Sequence, residues 1–245
     1  MATIKSGRAT PVIEYPDADG KPMAETPEHR DNLAWLIEML RAWFEGNDRV
    51  YISGNTFLYY VQGNPRRHVS PDVFVVRDVP RLPERRRYLL WEERKGPDLV
   101  IELTSQSTQA EDVRKKFLLY RDTLHVKEYF LFDPNEEYLD PPLQGYRLRG
   151  GRYVRINPVA GRLPSKVVGL HLERDGWLLR LYDPGTHRWL PTPREVQAAL
   201  EQEQAARQQA EIDLQQEAAA RQRAEAEVER LRRELEALRR TPEQP

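Results

Sequence analysis

Ser70-Pro71-Asp72-Val73-Phe74-Val75-Val76 is answered thirty positions on by Pro97-Asp98-Leu99-Val100-Ile101-Glu102-Leu103-Thr104, and then by Lys115-Lys116. Both runs have the length and apolar, β-branched content of buried strands, so they predict strands over 69–76 and 98–104. Each run carries one carboxylate where charge is costly to bury. Alternation puts Ser70, Asp72, Phe74 and Val76 on one face of the first strand, opposite Val69, Pro71, Val73 and Val75. In the second, Val100, Glu102 and Thr104 oppose Leu99, Ile101 and Leu103. If the strands are neighbours with both acids on one face, the carboxylates converge. Like charges that close repel, and a divalent cation relieves the repulsion. Two acids and a nearby lysine are the parts from which phosphodiester hydrolysis is built. Each residue also has a plainer reading. Pro-Asp opens strands and turns, Glu102 could sit in a structural ion pair, and Lys116 lies four residues from Asp112, a surface-pair spacing.

Around these strands the pattern is mixed α/β. Leu33, Leu36, Ile37, Leu40, Trp43 and Phe44 recur at helical spacing, predicting a helix over 27–45 with Thr26 as N-cap and Pro27 at the first helical position. Further strands are expected near 49–53, 56–61 and 127–133. Thr108-Gln109-Ala110-Glu111 matches a capping box, so a second helix is expected over 109–122. Gly150-Gly151 and Asp175-Gly176 predict two hairpins. The order implies one sheet with helices packed on it.

After Pro193 the composition changes. All 13 glycines lie at or before Gly185, and from Arg194 to Thr241 there is neither glycine nor proline. This divides the chain into a globular domain over 1–192, a helix over 193–240 and a disordered tail over 241–245. A heptad frame runs through Val196, Leu200, Ala210, Leu214, Ala224, Val228, Leu231, Leu235 and Leu238, regular from Ala224 onward. Glu203, Arg207, Glu217 and Arg221 interrupt the seam. The tail reads as a self-associating coiled coil, or as a solvated single helix held by i,i+4 charge pairs.

The 38 basic and 39 acidic residues leave a net charge of -1, so any nucleic-acid surface must be local. No cysteine is present, which excludes disulfides, thiolate zinc sites and a cysteine nucleophile. The five histidines lack zinc-type spacing, and there is no P-loop, GxGxxG or Gly-x-Ser-x-Gly. No signal-peptide pattern and no membrane-length apolar run is present, so a soluble, cytoplasmic protein is expected. Between the acid strands, Arg77, Arg81, Arg85, Arg86, Arg87, Arg94 and Lys95 face Asp78, Glu84, Glu92 and Glu93. That stretch is either a phosphate clamp or a solvated loop of mixed charge.

Pro71-Asp72-Val73, Pro97-Asp98-Leu99-Val100-Ile101-Glu102, Ser105-Gln106-Ser107-Thr108, Asp112, Lys116, Tyr120 and Lys127-Glu128-Tyr129-Phe130-Leu131-Phe132-Asp133-Pro134 together resemble the Uma-type putative restriction endonucleases of the PD-(D/E)XK superfamily. The likeness extends over roughly residues 10–190, including Tyr15-Pro16-Asp17-Ala18-Asp19-Gly20 and Gly54-Asn55. It implies a restriction-endonuclease-like mixed central sheet flanked by helices, with Asp72, Glu102 and the Leu103 carbonyl holding Mg²⁺ or Mn²⁺. The superfamily's Glu-x-Lys would place lysine at 104, where this chain has Thr104. The resemblance therefore implies that the catalytic cation comes from the following helix, as Lys116 or its neighbour Lys115. Glu25 and His29 are candidates to complete the site. The implied activity is metal-dependent DNA endonuclease, acting as a homodimer or higher homo-oligomer through the coiled coil, with no membrane partner. The competing expectation is a catalytically silent scaffold that binds nucleic acid or protein.

Overall fold

The computed structural model describes residues 13–18, 26–105 and 111–240. The chain divides into two compact units, 1–192 and 193–245. The first unit opens with α1 (Pro27–Trp43), capped by the Thr26 hydroxyl, which accepts a hydrogen bond from the His29 amide at 3.3 Å. There follow β1 (Val50–Ser53), β2 (Leu58–Tyr59), β3 (His68–Val69), β4 (Val73–Arg77), β5 (Tyr88–Leu89), the short helix α2 (Leu90–Glu93) and β6 (Leu99–Leu103). A helical stretch over 111–123 leads to β7 (Glu128–Phe132), then β8 (Leu143–Arg149) and β9 (Arg152–Arg155). Four more strands, β10 (Leu163–Pro164), β11 (His171–Asp175), β12 (Leu178–Asp183) and β13 (Arg188–Trp189), complete the unit. The second unit is α3 (Pro193–Arg240).

The central sheet is mixed, with order β1-β4-β6-β7-β8-β9. Only β6 and β7 run parallel within it, because the helical stretch between them makes the crossover such a pair requires. One face packs on α1 and on the β10–β13 sheet, through Leu36, Leu40, Val73, Ile101, Phe130, Leu172 and Leu181. The other face carries Phe74, Val76, Val100 and Tyr129, covered by Tyr120, Leu124 and Tyr88. The expected α/β architecture is present, with a mixed sheet and a long C-terminal helix.

Two local differences from the sequence expectation have clear causes. The strand expected over 69–76 is interrupted at 70–72, where the Asn55 amide donates to the Pro71 carbonyl at 2.9 Å. A Cβ on Gly54 would lie 2.1 Å from the Asp72 carbonyl oxygen, so the chain passes closer there than any side chain permits. In the second hairpin Asp175 is still paired, with Leu178, and the two-residue turn is Gly176-Trp177 with Gly176 at φ +60°. The first hairpin turns on Gly150-Gly151, both at positive φ, as a type I′ turn requires.

A buried carboxylate ties the two sheets together. Glu128, at the start of β7, accepts hydrogen bonds from Arg147 Nε (2.8 Å), the Ser165 hydroxyl (2.5 Å), and the amides of Lys166 (3.0 Å) and Val167 (3.2 Å). Its charge is fully compensated, unlike that of the carboxylates at the end of β6. Glu128→Ala is expected to cost about 3 kcal/mol or more in urea unfolding, because it strands a mostly buried guanidinium and three further donors. A loss below about 1 kcal/mol would show the network to be dispensable.

Candidate active site

The pairing of β4 with β6 aligns Val73 with Ile101 and Phe74 with Val100. Continued by one step, this register sets Asp72 opposite Glu102, at the point where β4 begins and β6 ends. The two acids are therefore brought together on the face that bears Phe74 and Val100, as alternation implied. Asp72 Oδ2 accepts from the Leu103 amide at 2.7 Å, and the Asp72 amide lies 3.4 Å from Glu102 Oε2. The Leu103 side chain faces the opposite core.

The helical stretch supplies the remaining groups. It is two π-helical segments, Glu111–Lys116 and Leu119–Thr123, joined by a short α-helical link, where an ordinary helix was expected. In an α-helix of 3.6 residues per turn, positions four apart overshoot one turn by about 40°. The wider i→i+5 turn lessens that overshoot, so Asp112, Lys116 and Tyr120 line up more nearly along one edge. Lys116 Nζ lies 2.9 Å from both Glu102 Oε2 and Asp112 Oδ1, and the Tyr120 hydroxyl donates to Glu102 Oε1 at 2.6 Å. Spacing alone suggested a surface pair for Asp112 and Lys116. It is instead a largely buried link between helix and sheet. Lys115 is exposed and takes no part.

Thr104 follows β6 where a lysine could have stood, and the ammonium beside Glu102 comes from the helical stretch instead. Thr104 is buried, its amide donates to the Phe132 carbonyl at 2.7 Å, and its hydroxyl does so at 3.2 Å. From the other side, His29 in the first turn of α1 places Nε2 3.7 Å from Asp72 Oδ1. Glu25 and the expected capping box at 108–111 fall wholly or partly outside the described residues. The side chains of His29, Asp72 and Lys116 are 12–14% exposed, whereas that of Glu102 is 0%. Solvent thus reaches the cluster along the His29–Asp72–Lys116 side, with Glu102 as its floor.

Three carboxylates face one ammonium. Burial pushes the Glu102 carboxyl up to about 7 against the pull of Lys116, and Asp72 adds to the rise. Burial likewise raises Asp72 to about 6. Burial alone would lower the Lys116 pKa, but Glu102, Asp112 and Asp72 outweigh it and hold the ammonium charged. The excess negative charge fits a divalent cation. Among the described residues no three His, Cys, Asp or Glu side chains are grouped to hold one. A cation here would take Asp72 and Glu102 with main-chain and water oxygens, the sparse protein ligation typical of Mg²⁺.

The loop read as either a phosphate clamp or a solvated stretch of mixed charge has spent several of its cations internally. Arg85 forms a two-point pair with Glu93 at 2.6 and 2.9 Å and lies over the Tyr51 ring. Lys95 bridges Asp78 and Asp98, and Arg86 meets Asp17.

The family of Uma2 proteins, described as "Putative restriction endonuclease", matches residues 8–181, nearly the whole first unit. The chain belongs to the Uma2 family. Uma2 membership agrees with the resemblance carried by the acid strands and the lysine helix. A solved structure, a putative nuclease belonging to DUF820 from Anabaena variabilis ATCC 29413, is 17% identical with a TM-score of 0.45. It covers 64% of this chain and 84% of its own. No curated protein matches the chain.

Both raised carboxyls bind protons more tightly when folded than when unfolded. The metal-free protein should therefore lose stability as pH rises from about 4.5 through about 7. Thermal unfolding in chelator is expected to show this fall, with a shallower one in Glu102→Gln. Equal slopes for the two proteins would contradict the assignment.

Proposed function

We propose that this chain is a metal-dependent DNA endonuclease hydrolysing phosphodiester bonds. The observation that carries the proposal is the gathering of Asp72, Glu102 and Asp112 about the Lys116 ammonium, negative charge in excess at a site that solvent reaches past Asp72 and Lys116. Asp72, Glu102 and the Leu103 carbonyl would hold Mg²⁺ or Mn²⁺. When bound, the cation supplies Lewis-acid polarisation of the phosphoryl group and acidifies water. Lys116 contributes a charged donor beside Glu102 Oε2, suited to orienting the attacking water and balancing charge that develops on the phosphate. Tyr120 fixes the rotamer of Glu102 from below. His29 stands where a phosphate entering over Asp72 would meet it. A second reading rests on Thr104 and on the engagement of both Glu102 oxygens. In that reading the Lys116–Glu102–Tyr120 set is complete without metal, and the chain is a silent scaffold that binds nucleic acid or protein.

Nicking of supercoiled plasmid separates the two. Wild type with Mg²⁺ or Mn²⁺ is expected to cleave, with activity falling about a hundredfold or more in Asp72→Asn, Glu102→Gln and Lys116→Ala. Inert wild type that remains folded favours the scaffold. Loss in the acid variants alone removes Lys116 from the chemistry.

We also propose that α3 self-associates as a coiled coil, in a cytoplasmic protein that works as a homodimer or larger homo-oligomer. No helix among the described residues is long and apolar enough to cross a membrane. Val228, Leu231 and Leu235 of α3 are each about half exposed. The same helix carries i,i+4 pairs such as Glu203–Arg207 and Arg221–Glu225, which stabilise a lone helix equally well. Sedimentation of the full chain should give an oligomer that Leu231→Lys with Leu235→Lys dissociates. A monomeric wild type would leave the charge pairs as the support of α3.

A further inference from the structure

From Pro141 to Leu172 the chain contains no aspartate or glutamate, yet it holds Arg147, Arg149, Arg152, Arg155, Arg162 and Lys166. In a chain of nearly balanced charge this is the most one-sided stretch of the folded unit. The structure gathers four of these cations on the β8–β9 hairpin. Two of the six are already used structurally: Arg147 is bound by Glu128, and Arg162 pairs with Glu173 at 2.8 Å. Arg149, Arg152 and Arg155 have no acidic partner among the described residues.

The hairpin register makes this costly. Arg149 and Arg152 stand directly opposite each other across the Gly150-Gly151 turn, a cross-strand pair of like charge. Such a pair destabilises a hairpin unless something anionic lies between or beside it. Beside Arg149 is a cavity of about 240 Å³, lined also by Arg147, Arg155, Asn157 and Pro164 among others. Its walls offer guanidinium and amide donors and no carboxylate. β9 ends the sheet, so the site opens at an edge.

Its position relates it to the acid cluster. Val100, Tyr129, Tyr146 and Arg155 form one cross-strand row over β6, β7, β8 and β9. Arg155 therefore projects from the same face as Glu102, three strand spacings and two residues away, about 16 Å, whereas the same register sends Arg149 and Arg152 to the opposite face, around the β9 edge. That span equals about five base-pair steps of a duplex.

We propose that the β8–β9 hairpin is a second phosphate-binding site at the sheet edge, in which Arg155 on the acid face and Arg149 and Arg152 on the other, set around the edge strand, grip the sugar–phosphate backbone of the nucleic acid whose scissile bond lies at the acids. The inference rests on the nuclease reading for the identity of its ligand, but its binding step needs no metal. Guanidinium groups match phosphate oxygens by two-point hydrogen bonds and stay charged at every working pH. Interactions of this kind position a backbone without reading its sequence.

Binding of a fluorescein-labelled DNA duplex to the full chain, followed by anisotropy in chelator across a salt series, tests it apart from catalysis. Arg149→Ala/Arg152→Ala/Arg155→Ala is expected to weaken binding about tenfold and to flatten the slope of log K against log salt by about 0.9 for each phosphate no longer neutralised. The triple lysine variant should keep the salt slope, since charge is retained. Arg30→Ala, which removes a surface cation paired with Asp31, should bind as wild type. Unchanged affinity and slope in the triple alanine variant would overturn the proposal, as would equal weakening in the alanine and lysine variants or a wild type that does not bind. Binding that follows this pattern in a protein that never nicks plasmid would refute the nuclease and leave the hairpin site standing.

Discussion

A carboxylate with no exposed surface, held by a lysine ammonium and a tyrosine hydroxyl, joins the helical crossover to the sheet at Glu102. Without that compensation the end of β6 would carry a bare buried charge, at a cost that folding could not sustain. The compensation explains the helix as well as the sheet. Lys116 and Tyr120 must both reach the same group, and π-helical turns bring them into line. Asp112 then joins from the same edge. What results is rigid below and open above, with Asp72 and His29 on the solvent side.

The strand pair and its acids were legible because alternation is a strong signal in short apolar runs. Leu99-Val100-Ile101-Glu102-Leu103 leaves little choice about which way Glu102 points once its neighbour is known. The neighbour itself was a conditional, resolved by the register of Val73 with Ile101. The π-helical geometry was not legible, because no residue propensity distinguishes such a turn from an α-turn. Asp112 suffered for the same reason. Four residues before a lysine, it looked like half of a surface pair, and only the packing of the crossover on Tyr129 and Glu102 buries it. The break at Ser70–Asp72 was hidden too, since it depends on Gly54, a residue sixteen positions away in sequence.

Charge counting proved a poor guide to surfaces. The arginine-rich connection after β4 read equally as a clamp or as a solvated loop of mixed charge, and Arg85, Arg86 and Lys95 are tied to acids of the folded unit. The β8–β9 hairpin attracted notice only as a turn, although its want of acids is plain in the residue order. A cation count becomes a surface only after the internal ion pairs are subtracted, and that subtraction needs the fold.

The register of β4 on β6 has a consequence for how such a chain can change. Side chains alternate with period two, so a slip of one residue would send Asp72 into the apolar layer beside Leu36 and Ile101. Core and chemistry are thus written in the same reading frame of the sheet. Substitutions around the cluster can be absorbed one at a time. Loss or insertion of a single residue within either strand would forfeit both the packing and the paired acids at once, which makes the site far more tolerant of altered spelling than of altered spacing.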